Sequence, residues 1–305
     1  MGKIAFVFSG QGAQYSGMGK ALYESSPAAK AVFVMADGIR PGTSRQCFEG
    51  TMEELTRTVN TQPCVFTADL AAARALLEAG VQPDCAAGFS LGEIAALAFA
   101  GVLSDEDAFK LVCRRGELMD KAAKENPGAM AAVMKLPPET VEEICAAFGS
   151  TYPVNYNSPA QTVVATTTEN AEAFCEAVKK AGGRAKLLPV SGAFHSPFMA
   201  DAAAGLAEYI RDVGFADPKI PVYSDFTAKP YEGDYRELVR AQVESPVRWQ
   251  SIIEDMAAQG VDTFIEVGVG KTLQGLIKRI LPDAEALKCE TPEEAQAICG
   301  ACRAE

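Results

Sequence analysis

The sequence predicts an α/β protein: a parallel sheet covered by helices on both faces, with a small ferredoxin-like α+β subdomain inserted into it. Three observations carry this. Short apolar runs of strand length alternate with helical patterns, the order expected of a parallel sheet. After Pro127-Gly128 the order becomes β-α-β-β-α-β within about 60 residues, the ferredoxin-like pattern. Gly88-Phe89-Ser90-Leu91-Gly92-Glu93 stands between an apolar run and a good helix, so it reads as strand, sharp turn, helix. The chain divides into a discontinuous core, 1–126 and 190–305, and an inserted subdomain, 127–189.

Residues 4–8 make the first strand, which ends in Ser9-Gly10-Gln11-Gly12-Ala13-Gln14. This loop lacks the Gly-Lys-Ser/Thr of a P-loop, and can instead offer backbone N–H groups to a neighbouring site. Helices are expected at 18–24, 28–37 and 52–57. Thr61 reads as the cap of a helix at 63–79 that stops at Gly80. Strand 84–88, the turn and helix 91–100 follow. Ser104, with Asp107 three residues on, caps a helix at about 105–123. On that helix Ala108, Leu111, Val112, Leu118, Met119 and Ala122 share one side, and Arg115 sits in its middle. Arg114 points away with Lys110, Glu117 and Lys121. A cation centred on an apolar stripe is costly unless an anion meets it. Two readings stay open: a structural pair with a buried Asp or Glu, or a site for an anionic substrate group. The planar fork of Arg suits a carboxylate.

The inserted pattern runs through strand 129–135, a helix from Pro137-Pro138 to about 148, strands 152–155 and 162–166, helix 169–181 and strand 184–188. The chain re-enters through Pro189-Val190-Ser191-Gly192-Ala193-Phe194-His195-Ser196-Pro197, just before a helix at 197–213. Strand 220–224, helix 234–243, helix 247–259 with the only Trp, strand 263–267, a second Gly-rich turn at 268–271 and helix 272–280 complete the order.

Ser90 lies in a G-x-S-x-G turn, the form of a nucleophile elbow. Small residues on both sides let strand and helix approach while Ser90 takes a strained conformation. The plain alternative is a Gly-rich turn without chemistry. The chain holds one histidine, His195. Zinc sites built on several histidines are thereby excluded. If Ser90 has an imidazole base, it can only be His195. A lone His is often a surface or satisfied core residue, but this one lies at the return from the insertion, where a cleft would form.

Hydrophobic residues are 48% and charged residues 22%, ordinary for a globular protein. The net charge of −12 argues against nucleic acid or anionic membrane as partner. An acidic protein partner would need a local basic patch. No apolar run approaches the about 20 residues of a membrane span. The N-terminal run reads as a first strand, not a signal peptide, and Phe6 stands where a myristoylation signal wants Ser or Thr. Nine cysteines, mostly single and in apolar contexts, read as reduced core thiols of a cytoplasmic protein. Cys299 and Cys302 form a C-x-x-C that reads as a frayed tail rather than a redox or metal site.

One ordered set of motifs remains. It comprises Phe6-Val7-Phe8-Ser9-Gly10-Gln11-Gly12-Ala13-Gln14, Asn60-Thr61-Gln62-Pro63, Gly88–Glu93, Arg115-Gly116 and Asn155-Tyr156-Asn157-Ser158-Pro159. It continues with Gly192-Ala193-Phe194-His195-Ser196-Pro197, Ser245-Pro246-Val247-Arg248-Trp249 and Glu266-Val267-Gly268-Val269-Gly270-Lys271. The set resembles, in order and over nearly the whole chain, the malonyl-CoA:acyl carrier protein transacylase family of fatty-acid synthesis. That resemblance implies a hydrolase-like parallel-sheet core with the ferredoxin-like insertion, and ping-pong transfer of a malonyl group. Ser90 would be the nucleophile and His195 its base. Backbone N–H groups of Gln11 and Leu91 would form the oxyanion hole. Arg115 would clamp the malonyl carboxylate, with Gln62, Asn157 and Phe194 also binding substrate. The backbone carbonyl of Gln242 would orient His195.

The resemblance further implies no permanently bound cofactor and no metal. The coenzyme A thioester is substrate, and phosphopantetheine arrives on the partner, holo-acyl carrier protein. Monomer is the family default. Lys186, Lys271, Lys278 and Arg279 are candidates for the basic docking patch. The sequence departs from the family at Phe89, where relatives carry His, and at Ser9 and Val269, where many carry Pro. Three alternatives remain. A serine hydrolase would need an acid between 90 and 195 to pair with His195. A non-catalytic docking module would not need Ser90, His195 and Arg115. An acyltransferase of a polyketide pathway shares all of them.

Overall fold

A computed structural model describes residues 2–190 and 192–303; the sequence readings that touch Met1 and Ser191 lie outside the described residues. In chain order the strands are β1 (Lys3–Phe8), β2 (Cys85–Gly88), β3 (Gly128–Met134), β4 (Tyr152–Ser158), β5 (Gln161–Thr167), β6 (Arg184–Leu187), β7 (Val222–Tyr223), β8 (Val261–Val267) and β9 (Glu285–Cys289). Five of them form a parallel sheet in the order β7-β2-β1-β8-β9. Within β1, Ile4, Phe6 and Phe8 enter one apolar cluster and Ala5 and Val7 another. That is the period of two expected of a strand buried on both faces. Helices Thr58–Ala79, Leu91–Phe99 and Asp105–Glu125 supply the first cluster, and Trp249–Ala258 and Thr272–Ile280 the second.

The other four strands form an antiparallel sheet in the order β4-β5-β3-β6. One face buries Ala131, Val133 and Val164 against Val141, Cys145, Phe174 and Val178 of its own helices, Pro138–Ala146 and Ala171–Lys180. Met130, Ala132, Val163 and Ala165 alternate with them and join the main cluster instead. Val247 N–H donates to the Val154 carbonyl, and Tyr156 N–H to the Val247 carbonyl, both at 2.9 Å. The small sheet is thus held against the large unit on one face and by its edge strand.

Several elements differ from expectation. The helix expected from 63 begins at Thr58, with Pro63 inside it. Thr61 is no cap; its hydroxyl donates to the carbonyls of Leu55 and Arg57 at 2.5 and 3.1 Å. Pro63 removes one ladder bond, and burial of every residue from Asn60 to Ala73 outweighs that loss. The expected helix 197–213 is a 3-10 turn, Pro197–Met199, followed by Ala200–Ile210. The helix Thr43–Glu49 was not expected.

Nor is the Cys299/Cys302 segment a frayed tail. It lies in the helix Pro292–Arg303, with Ala295 and Ile298 buried and Cys299 Sγ–H donating to the Ala79 carbonyl at 2.9 Å. Thr291 and Glu294 exchange cap bonds, with Glu294 N–H to Thr291 Oγ1 at 3.3 Å and Thr291 N–H to Glu294 Oε2 at 3.2 Å. All nine cysteines are free thiols. No helix among the described residues is long and apolar enough to cross a membrane.

Candidate active site

The turn after β2 is built on close contact. A Cβ on Gly88 would lie 2.0 Å from the Gly92 backbone, and one on Gly92 would lie 2.3 Å from the Phe8 carbonyl oxygen. Only glycine at both positions lets β1, β2 and the helix Leu91–Phe99 meet. Between them Ser90 takes φ 58° and ψ −109°, a strained conformation for a residue with a side chain.

His195 also has a positive φ, 59°. Its Nδ1 lies 2.9 Å from the Gln242 carbonyl oxygen. A carbonyl can only accept, so the neutral ring carries its proton on Nδ1 and leaves Nε2 bare. Nε2 lies 2.8 Å from Ser90 Oγ, whose hydroxyl therefore donates to it. Burial, and then the Arg115 charge, push the imidazole down to about 4. His195 is accordingly neutral at physiological pH and can accept a proton at Nε2. Its partner is a backbone carbonyl and not a carboxylate, so the acid that a hydrolase-type triad would place between 90 and 195 is not at the ring.

Arg115 is 1% exposed. Its guanidinium donates to Gln62 Oε1 at 2.9 Å, to Gln242 Oε1 at 2.9 Å and to Ser90 Oγ at 3.2 Å. Its Nε has no partner. Among the described residues no carboxylate forms an ion pair with it, so the structural-pair reading lacks its anion. Burial lowers it to about 10, opposed by the more distant charges of Glu93 and Asp225, and it stays cationic at neutral pH. Arg114 instead pairs outward with Glu117 at 2.9 Å.

Leu91 opens the helix after Ser90, and neither its N–H nor that of Gln11 has an acceptor among the described residues. Gln11, Phe89, Asn155 and Asn157 line one cavity of about 230 Å³ between the two sheets. The side-chain oxygens of Asn155 and Asn157 are buried there without partners. Phe89 packs edge-on against Trp249 at 5.6 Å between ring centroids. Phe194 is buried in the main apolar cluster, and a Cβ on Gly192 would lie 3.0 Å from its ring. No group of three His, Cys, Asp or Glu side chains among the described residues could hold a metal ion.

Hydrogen bonds thus join Ser90, His195, Arg115, Gln62 and Gln242 directly, while Gln11 and Asn157 line the adjoining cavity. The sequence reading missed the side chain of Gln242, which also donates to the Ser90 carbonyl at 2.6 Å. It missed Asp225, whose Oδ2 accepts the Ser90 N–H at 2.7 Å. Asp225 follows β7 at the C-terminal edge of the parallel sheet, where α/β folds place their site residues, and that position was the available signal.

The acyl transferase domain family matches residues 5–293. The malonyl CoA-acyl carrier protein transacylase of Bacillus subtilis (strain 168) is 40% identical over 301 residues, 96% of this chain and 95% of that protein. The protein of the same name from Escherichia coli (strain K12) is 39% identical, covering 96% and 97%. The crystal structure of the malonyl CoA-acyl carrier protein transacylase from Clostridium perfringens superposes with a TM-score of 0.95 at 35% identity, covering 99% of this chain and 98% of that one. A malonyl-transacylase solved in complex with its type II polyketide acyl carrier protein superposes with a TM-score of 0.94 at 34% identity, covering 98% and 99%.

Proposed function

The chain belongs to the acyl transferase domain family and is an acyltransferase, and from that premise we propose that it moves a malonyl group from malonyl-CoA to the phosphopantetheine thiol of an acyl carrier protein. The observation that carries the choice of acyl group is Arg115. It is a buried cation without a carboxylate partner, in hydrogen-bond contact with Ser90 Oγ. The free carboxylate of a malonyl ester lies two bonds from the acyl carbon, so its counter-charge must sit beside the nucleophile. A neutral acyl group would leave this guanidinium without an anion.

The chemistry follows from the hydrogen bonds. Ser90 Oγ attacks the thioester carbonyl as its proton passes to His195 Nε2. The Gln242 carbonyl holds Nδ1–H and so stabilises the imidazolium that forms. The N–H groups of Leu91 and Gln11 receive the oxyanion, and the positive end of the helix Leu91–Phe99 adds to their effect. The tetrahedral intermediate collapses, and coenzyme A leaves as a thiol with the proton from His195. Malonyl-Ser90 remains, its carboxylate on Arg115. The carrier thiol then gives its proton to His195 and attacks the ester, and Ser90 recovers the proton as it leaves. Gln62 supports Arg115. Asn157 meets the substrate arm in the cavity. Phe194 limits the space for a larger acyl group. No resident cofactor or metal has a part in these steps.

In this proposal the chain divides into a core of 1–126 and 190–305 and a subdomain of 127–189. The enzyme is monomeric and cytoplasmic, and its carrier is that of fatty-acid synthesis. The complex among the similar structures supports a carrier as partner and makes the polyketide carrier the second reading. Incubation with malonyl-CoA and purified holo-carriers of both classes tests this. Malonyl appears on the fatty-acid carrier at the higher kcat/KM. Transfer to neither carrier refutes the proposal, and preference for the polyketide carrier selects the second reading.

A further inference from the structure

Resting on the malonyl-transfer reading above, we infer that Asp225 is a positioning residue. The carboxyl of this residue, whose backbone N–H is held by Glu93, clamps the Ser90 backbone in the strained turn that aims Oγ at His195. Strain of this kind persists only where neighbours over-determine the conformation. At Ser90 they hold both sides of the residue. Its N–H donates to Asp225 Oδ2 at 2.7 Å, and its carbonyl accepts from Gln242 Nε2 at 2.6 Å. The same Nε2 lies 3.2 Å from Asp225 Oδ2 and 3.1 Å from Glu93 Oε2. Asp225 N–H donates to Glu93 Oε2 at 2.9 Å, and Glu93 Oε1 accepts from the Tyr231 hydroxyl. Ser90, Asp225, Glu93 and Gln242 therefore close a hydrogen-bonded ring beneath the nucleophile.

The chemistry of that ring is unusual for a core. Glu93 and Asp225 are both fully buried. Burial raises both carboxyl groups, which meet on the one Gln242 amide. A buried acid pair is a poor way to stabilise a fold, since apolar packing does so at lower cost. What Asp225 supplies is an acceptor of fixed direction for the Ser90 N–H. This N–H is taken up by Asp225, so on the proposed reading the oxyanion falls to the N–H groups of Leu91 and Gln11. Neither acid forms a hydrogen bond with the Ser90 hydroxyl or with His195.

The test compares Asp225→Ala and Asp225→Asn with the parent enzyme, in single-turnover loading from malonyl-CoA. The alanine variant is expected to form malonyl-Ser90 about 100-fold more slowly, the cost of a nucleophile displaced by an ångström, with KM for malonyl-CoA within about threefold because Arg115 is untouched. Asn keeps an oxygen facing the Ser90 N–H, so this variant recovers to within about fivefold of the parent. A merely structural role would lower Tm in both and leave the rate of the folded fraction unchanged. A folded alanine variant that loads at the parental rate overturns the inference, as does an asparagine variant that falls as far as alanine. If the alanine variant does not fold, Asp225→Ser, too short to reach the Ser90 N–H, takes its place with the same expected loss. A parent enzyme that forms no malonyl-Ser90 refutes the functional reading itself, whatever the variants do.

Discussion

On the proposed reading Arg115 selects the acyl group, and its replacement separates two kinds of acyl group. Arg115→Ala should lower malonyl loading by about 100-fold or more, the scale for truncating one partner of a buried charge pair, while acetyl loading holds or rises. Equal losses for both would make Arg115 structural; single-turnover loading from each thioester reads the difference. In the proposed mechanism His195 sets the pH dependence. Its pKa is pushed down to about 4, so the base stays unprotonated, and kcat/KM for loading stays level as pH falls from 7 toward 5. Activity is lost only as pH passes below the folded value. Because the Arg115 charge is the second cause of that shift, the acid limb measured by acetyl loading should move up in Arg115→Ala. A limb at the ordinary histidine value in the parent would contradict the buried, neutral ring. Arg115 was legible in the sequence because a charge in the middle of an apolar helical stripe demands an anion, either a structural partner or a substrate group. His195 was legible because no second histidine competes. Gln242 is different. A glutamine on a charged helix carries no mark of burial, and only the fold turns it inward to touch Ser90, Arg115 and, through its backbone, His195.

The elbow depends on two glycines whose missing side chains let three elements touch. Gly92→Ala would drive a Cβ into the Phe8 carbonyl at the end of β1, a backbone atom that cannot give way cheaply. A loss of about 3 kcal/mol or failure to fold is expected, measured by denaturant unfolding. A variant as stable as the parent would contradict this packing. The elements around the elbow were readable because Ser104, Gly80 and the Gly182-Gly183 pair mark helix ends through local chemistry. The inserted pattern was readable because period-two strands and amphipathic helices alternate within it. Pro63 misled, since proline marks a helix start in isolation but is tolerated inside a helix buried along most of its length. The helix Pro292–Arg303 was overlooked although Thr291 and Glu294 mark its start, because burial against Ala79 is a tertiary fact.

Across the molecule the site lies where the parallel sheet's C-terminal edge meets the small antiparallel sheet, and residues far apart in the chain share it. Spacing alone could not bring Gln62, Ser90, Arg115, His195 and Gln242 together. The exposed cations Lys271 and Arg279 flank this cavity: Lys271 precedes Thr272, and Arg279 donates to Gln161 at 3.0 Å, both Thr272 and Gln161 lining it. On the proposed reading, Lys271→Glu with Arg279→Glu should raise KM for the carrier about tenfold and leave loading from malonyl-CoA within about twofold, because a basic docking patch steers an acidic protein partner. Equal effects on both half-reactions would remove these residues from the docking face. The central claim, that Ser90 carries an acyl group chosen by Arg115, is tested most directly by intact mass spectrometry. The protein is exposed separately to malonyl-CoA and acetyl-CoA, with Ser90→Ala as control. A malonyl adduct on the parent, absent from Ser90→Ala and far exceeding the acetyl adduct, is the expected result. No malonyl adduct, or one that persists without Ser90, would contradict it.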